Sequence, residues 1–305
     1  MQRKKFLQSS LLGGASLLAS GIAKAGSDKK MPNADQPFHL RYATHDGMFE
    51  NHAGQNFTDQ IKFAYDHGFR AIEDNGMMGR SPEEQQKIGD TLAKLGMGMG
   101  VFVLDKGGND ANTLAAGKPE FVEIFLKGCR GAVEASKRCG GKLTTVVPGD
   151  FERHLPEGIQ TANIILALRK GVEILEPHGI VMVLEPLSDN PDLFLRTADQ
   201  AYAICKAVNS PSCKILFDMY HIQRNCGNLI HHIDWAWDEI AYFQIGNNPG
   251  RNEPGTGEMD YKNIFKHIYH KGYKGMLGME HGNAKPGKEG ELALIEAYRE
   301  ADDFV

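Results

Sequence analysis

From His39 onward the chain alternates short apolar runs with longer stretches in which apolar residues recur at helical spacing. The apolar runs predict strands at 39–44, 71–73, 98–103, 143–147, 180–184, 214–217, 241–245 and 275–279. Between and after them, the helical spacing predicts helices at 57–67, 82–95, 119–139, 160–178, 197–208, 229–237, 261–271 and 289–301. The run VMVL before Glu185 is apolar without alternation, which marks a strand buried on both faces, as in a parallel sheet. Local chemistry supports the boundaries. Pro82 and Pro119 suit a first helical turn, where no backbone N–H is needed. Gly68, Gly96, Gly140, Gly179 and Gly272 each follow a helical stretch, where a left-handed cap favours glycine. Asp260 stands as an N-cap before the helix at 261.

Eight strand–helix units with no linker between them imply a parallel sheet covered by helices. A single (β/α)8 barrel over residues 39–305 fits this count and length better than an open doubly wound sheet. No G-x-G-x-x-G follows the first strand, where an open dinucleotide-binding sheet would carry it. In a barrel of this kind, chemistry belongs at the C-terminal ends of the strands.

Four consecutive strands end in oxygen donors. Glu185 closes the fifth, followed by Pro186, which cannot continue a ladder. Asp218 follows the sixth, with His221 one turn on; Gln244 lies within the seventh, with Arg251 in the loop beyond; Glu280 closes the eighth. Each has a plain structural alternative: Asp218 as a cap, Gln244 as a partner for backbone, Glu280 as a partner for Lys285 or Lys288, His221 as a hydrogen-bonded structural residue. Three carboxylates converging on one rim would repel one another without a cation. An all-oxygen set suits Mg2+ or Mn2+ better than a thiolate-type zinc site.

Composition narrows the function classes. Arg3, Lys4 and Lys5, a mildly apolar stretch at 6–22 and Ala23-Lys24-Ala25 make residues 1–25 an expected twin-arginine-like signal peptide, with Lys4 in place of the second arginine. Residues 26–38 then form a linker. The apolar stretch is too short and polar for a membrane span, so a periplasmic protein with no stable membrane anchor is expected. The formal charge of −5 becomes −9 once Arg3, Lys4, Lys5 and Lys24 are removed. So acidic a chain is a poor partner for nucleic acid. Five cysteines without CxxC spacing imply buried, inert thiols, although Cys205 and Cys213 could pair. Lys285 and Lys288 lie where barrels often bind phosphate, but two lysines beside Pro286-Gly287 are weak evidence for that and a solvated loop is the better reading. A homo-oligomer remains open.

Together the stretches GFRAIED, GMGVFV, LEPL, DMYH, the Gln244 strand, PGRNEPGTGEMDY and GY-G-LGME resemble the sugar isomerase/epimerase superfamily with a xylose isomerase-like TIM barrel, and within it the hydroxypyruvate isomerase-like proteins. The resemblance spans essentially the whole chain after the signal peptide. It implies one divalent metal ion (Mn2+ or Mg2+ first, Co2+ or Zn2+ open) held by Glu185, Asp218, Gln244 and Glu280. It also implies Glu185 and Glu280 as acid/base pair, with His221 and Arg251 binding substrate. The expected activity is isomerisation or epimerisation of a small sugar, keto acid or other 2-hydroxy-carbonyl compound through an enediolate. Ketose 3-epimerases of the superfamily carry histidine where this chain has Gln244. The endonuclease branch needs additional histidines that this chain lacks at Asp74-Asn75 and in the Arg251 loop. An exported relative could instead act as a lyase or epimerase on 3-keto sugars or glycosides. A non-catalytic sugar-binding barrel is disfavoured by the glutamate pair.

Overall fold

A computed structural model describes residues 36–305 of the chain. The expected signal peptide and residues 26–35 of the expected linker lie outside the described residues. The strands are β1 (Arg41–Thr44), β2 (Ala71–Ile72), β3 (Gly98–Met99), β4 (Val101–Val103), β5 (Leu143–Val146), β6 (Val181–Leu184), β7 (Cys213–Asp218), β8 (Ile240–Gln244) and β9 (Met276–Gly278). They pair in the order β3-β2-β1-β9-β8-β7-β6-β5-β4, every pair parallel. The two ends of that order, β3 and β4, are separated only by Gly100, so the ring closes as an eight-unit barrel with its third strand interrupted. Gly100 N–H donates to Ile72 O at 2.6 Å and Asp74 N–H to Val101 O at 3.1 Å, which carries pairing with β2 across the interruption.

The helices are α1 (Glu50–Ala53), α2 (Phe57–Asp66), α3 (Pro82–Leu95), α4 (Pro119–Cys139), α5 (Glu157–Leu175), α6 (Ala198–Val208), α7 (Met219–Asn225), α8 (Leu229–Ala236), α9 (Tyr261–His270) and α10 (Gly287–Asp302). The short α1 and α7 are not predicted by periodicity, since one or two turns give it too little to repeat. The fifth helix begins at Glu157 rather than 160, and its last predicted residues form a separate 3-10 turn at Glu176–His178. Pro82 and Pro119 are first-turn residues, Gly96, Gly140 and Gly179 are left-handed caps, and the Asp260 side chain accepts from Asn263 N–H.

Alternation along the strands makes two cores. Outward residues such as Tyr42, Phe102, Met182, Phe217, Phe243 and Leu277 are fully buried beneath the helices. Complete burial of one such side chain contributes about 1.5–3 kcal/mol. Inward, Val101, Val183, Leu216 and Tyr242 form a separate cluster inside the barrel. Two residues further along three of these strands come Glu185, Asp218 and Gln244, placed by the period of two at the upper, C-terminal layer of the same interior. The far end of the chain is tied to the start of β1: Asp302 accepts from Tyr42 Oη at 2.8 Å and from His39 N–H at 2.7 Å.

Among the described residues, no helix is long and apolar enough to cross a membrane. All five cysteines are free. Four are buried, as expected, but Cys226 is exposed. Burial pushes the Cys129 thiol up to about 12.

Candidate active site

Buried strands deliver the site's carboxylates to the barrel mouth. Glu185 follows β6 directly and is 5 % exposed. Asp218 is both the last residue of β7 and the cap of α7: one oxygen accepts from Tyr220 N–H at 2.7 Å while the other lies 3.1 Å from Arg251 Nη2. The capping role is thus real and leaves one oxygen for chemistry. Glu280 sits two residues past β9, at the same inward parity as Gly278. It accepts from Asn75 Nδ2 at 2.8 Å and from Arg251 Nη2 at 2.6 Å, not from Lys285 or Lys288. Lys285 pairs instead with Glu289.

One ligand atom from each of Glu185, Asp218, His221 and Glu280 lies within 4.8 Å of the others. Burial first, and then Glu280 and Asp218, push Glu185 well above the usual carboxylate range. Burial and then Asp218 push Glu280 up to about 7. Arg251 supplies one positive charge against three converging acids, so the set is short of cation.

His221 is 1 % exposed, and burial lowers its pKa. Its Nδ1 receives the Ser188 backbone N–H at 3.2 Å and faces Ser188 Oγ at 2.8 Å. A backbone N–H can only donate, so Nδ1 is an acceptor and the ring proton sits on Nε2. Nε2 faces Asp218 at 3.4 Å and Glu185 at 4.0 Å. It therefore presents N–H rather than a lone pair to the cluster.

Gln244 is the register partner of Asp218 on β8. Its Nε2 lies 3.4 Å from Glu73 Oε2, while its Oε1 is buried and has no hydrogen-bond partner among the described residues. An unpartnered buried carbonyl costs about 1–3 kcal/mol; coordination to a cation would remove that cost. The donors Glu185, Asp218, Gln244 and Glu280 thus fit a hard divalent ion.

Glu73 adds a fourth carboxylate, which the strand-end pattern contained but the following Asp74-Asn75 obscured. AIED ends an apolar run with an acid as VLEP does. Glu73 is 1 % exposed; Oε2 accepts from Tyr242 Oη at 2.9 Å, and Oε1 has no hydrogen-bond partner among the described residues. Burial, followed by the nearby Glu280, pushes it well above the usual carboxylate range. Two glycines make its space. A Cβ at Gly278 would fall 1.8 Å from Glu73 Oε2, and one at Gly100 would fall 2.4 Å from Tyr242 Oη.

Arg251 is held at φ 50°, left-handed backbone that a side chain other than glycine, asparagine or aspartate rarely adopts. Its N–H bonds Asn247 O at 2.7 Å, Nε donates to Glu280 O at 3.1 Å, and the guanidinium lies 4.7 Å from the Tyr220 ring centroid. The loop doubles back through Asn247 N–H to Asn252 O and Glu258 N–H to Asn248 O, so a long connection becomes a fixed arm. His221, Arg251, Glu185 and Glu280 line a cavity of about 320 Å3, with Asn75, Asn109, Asp110, Asp189 and Asn190 nearer its rim.

Comparison with known proteins agrees with this architecture. Hydroxypyruvate isomerase of Escherichia coli (strain K12) is 31% identical over 180 residues, covering 58% of this chain and 69% of that protein. Two solved structures share the fold. The AP endonuclease, family 2, from Brucella melitensis has a TM-score of 0.72 at 23% identity, covering 85% of this chain and 99% of that one. The E. coli 3-keto-D-glucoside 4-epimerase has a TM-score of 0.71 at 19% identity, covering 86% and 99%. The model of the xylose isomerase-like TIM barrel family matches residues 61–301, and the chain belongs to that family.

Proposed function

We propose that the protein is a divalent-metal-dependent isomerase or epimerase of 2-hydroxy-carbonyl compounds. The observation that carries this reading is the set of carboxylates converging within 4.8 Å at the mouth of the barrel, beside the buried, unpartnered Gln244 oxygen. Glu185, Asp218, Gln244 and Glu280 would hold the ion, which when bound supplies positive charge where an enediolate develops. Glu185 and Glu280 approach from β6 and β9, with the two intervening strands between them. That placement suits one to remove the C–H proton and the other to return it. His221 Nε2–H and the Arg251 guanidinium would donate to the oxygens on which charge grows. The relative named hydroxypyruvate isomerase supports this reaction class.

Chelation is the direct test. Treatment with EDTA is expected to abolish solvent-deuterium incorporation into substrate, and Mn2+ or Mg2+ at about one ion per chain to restore it. Full exchange by protein that retains no metal would end the metal-dependent reading.

The same proton abstraction serves elimination from a 3-keto sugar or glycoside. The cavity, at the lower end of the ~300–1,000 Å3 range of ligand sites, has room for more than a three-carbon acid, which favours keeping this second reading. NMR analysis of products separates the two. We further propose export to the periplasm, on the basic start and the Ala23-Lys24-Ala25 site of residues 1–25. Fractionation of the producing cells should recover a chain beginning at Gly26; an intact chain in the cytoplasm would overturn it.

A further inference from the structure

Resting on the isomerase/epimerase reading, the rim of the cavity points to what enters it. The loop after β4 is pinned from within by Lys106, which is 4 % exposed and whose Nζ donates to Gly108 O at 2.9 Å, to Asn109 O at 3.4 Å and to Ala111 O. An ammonium has three N–H groups, so these three carbonyls occupy all of them. Asn112 Nδ2 bonds back to Lys106 O at 2.6 Å, and Asp110 O accepts from Asp150 N–H at 3.3 Å. The loop is therefore a fixed wall, and it carries Asn109 and the exposed Asp110 to the cavity. Asp189 and Asn190, from the loop after β6, line the same cavity.

Among the described residues, the only lysine or arginine lining the cavity is Arg251. Its guanidinium is already bonded to Asp218 and Glu280, with Asp189 at 3.5 Å. Arg224, which reaches Asp189 at 2.6 Å, is not part of the lining. Five carboxylates (Glu185, Asp218, Glu280, Asp110 and Asp189) thus outnumber the four positive charges that a divalent ion, Arg251 and the Arg224 paired with Asp189 would supply. With Arg251 committed to the oxygens of the reacting carbons, a carboxylate or phosphate elsewhere on the substrate would meet the like charge of Asp110 and Asp189. Carboxylates only accept hydrogen bonds, and hydroxyl groups donate them. The asparagine amides do both.

We infer that the substrate is an uncharged, polyhydroxylated carbonyl compound, a ketose or keto-glycoside. Asp110 and Asp189 select it by accepting hydrogen bonds from hydroxyls remote from the reacting carbons and by repelling anionic keto acids. Names carried by relatives point to hydroxypyruvate, an anion; the rim of this chain opposes it.

The test compares solvent-deuterium incorporation by Mn2+-loaded protein into D-fructose, a methyl 3-keto-glucoside and hydroxypyruvate. The better neutral compound is expected to exceed hydroxypyruvate in kcat/KM by about tenfold or more, since like-charge juxtaposition is strongly unfavourable. Added salt should raise kcat/KM for hydroxypyruvate by screening that repulsion and leave the neutral compounds unchanged. Asp110→Asn should narrow the gap, and Asp110→Lys should narrow it further by improving hydroxypyruvate. Hydroxypyruvate turned over as well as the neutral compounds, with no response to Asp110→Lys, would overturn the inference and leave the isomerase reading intact. Exchange into none of the three by protein with metal bound would overturn the isomerase reading, and the inference with it.

Discussion

Glu185→Gln and Glu280→Gln are each expected to slow solvent-deuterium incorporation by about 10²–10⁴-fold, the usual contribution of a positioned acid or base. Both residues stand at strand ends at the mouth of the barrel, Glu185 buried and Glu280 half-buried, and both belong to the cluster that is short of cation. Glutamine keeps an oxygen at nearly the same place but cannot take or give the proton. Metal content must therefore be measured beside the rate. A variant that retains its ion and loses exchange has lost proton transfer; a variant that loses both has lost a ligand. Full exchange at unchanged metal content would remove that residue from the acid/base pair.

Gly278→Ala should be the most damaging small substitution in the barrel interior. The added methyl would start 1.8 Å from Glu73 Oε2 and 2.5 Å from its Cδ. A surface glutamate would swing away, but this one is buried and is held by Tyr242 Oη. Overpacking of this kind costs about 1–3 kcal/mol, which in a chain of this size lowers Tm by several degrees, at ~2–4 °C per kcal/mol. Exchange activity should fall with it, because Glu73 also contacts Gln244 and has Glu280 among its electrostatic neighbours. Combining Glu73→Ala with Gly278→Ala should recover part of the lost Tm, since the two residues compete for one space. A single Gly278→Ala variant melting within a degree of the parent would show that the carboxylate has room to move.

The residues most legible in the sequence were those whose signal is local. Glu185 and Glu280 end apolar runs, Asp218 precedes a visible change of periodicity, and prolines and glycines punctuate the helices. The barrel followed from counting such units. What escaped depends on neighbours distant in the chain. Glu73 looked like the end of a strand next to more polar residues; only the period of two from Ala71 turns it inward while Asp74 reaches Arg80. Gly278 reads as an ordinary small residue until Glu73, some two hundred positions earlier, is placed against it. The break at Gly100 has the same origin, because Tyr242 comes from the opposite part of the chain. The tautomer of His221 required Ser188, whose backbone N–H is set by the turn after β6.

The donor-bearing ends of β6, β7, β8 and β9 occupy one unbroken arc of the barrel, whereas Asp110 rides on a loop that leaves β4. Substitutions in that loop can change what is admitted without displacing any residue that handles the proton. A lineage carrying this arrangement can pass from one substrate to another through intermediates that all retain a working reaction centre. Such a division lets one ancestral chemistry be inherited whole while the compounds it serves diverge.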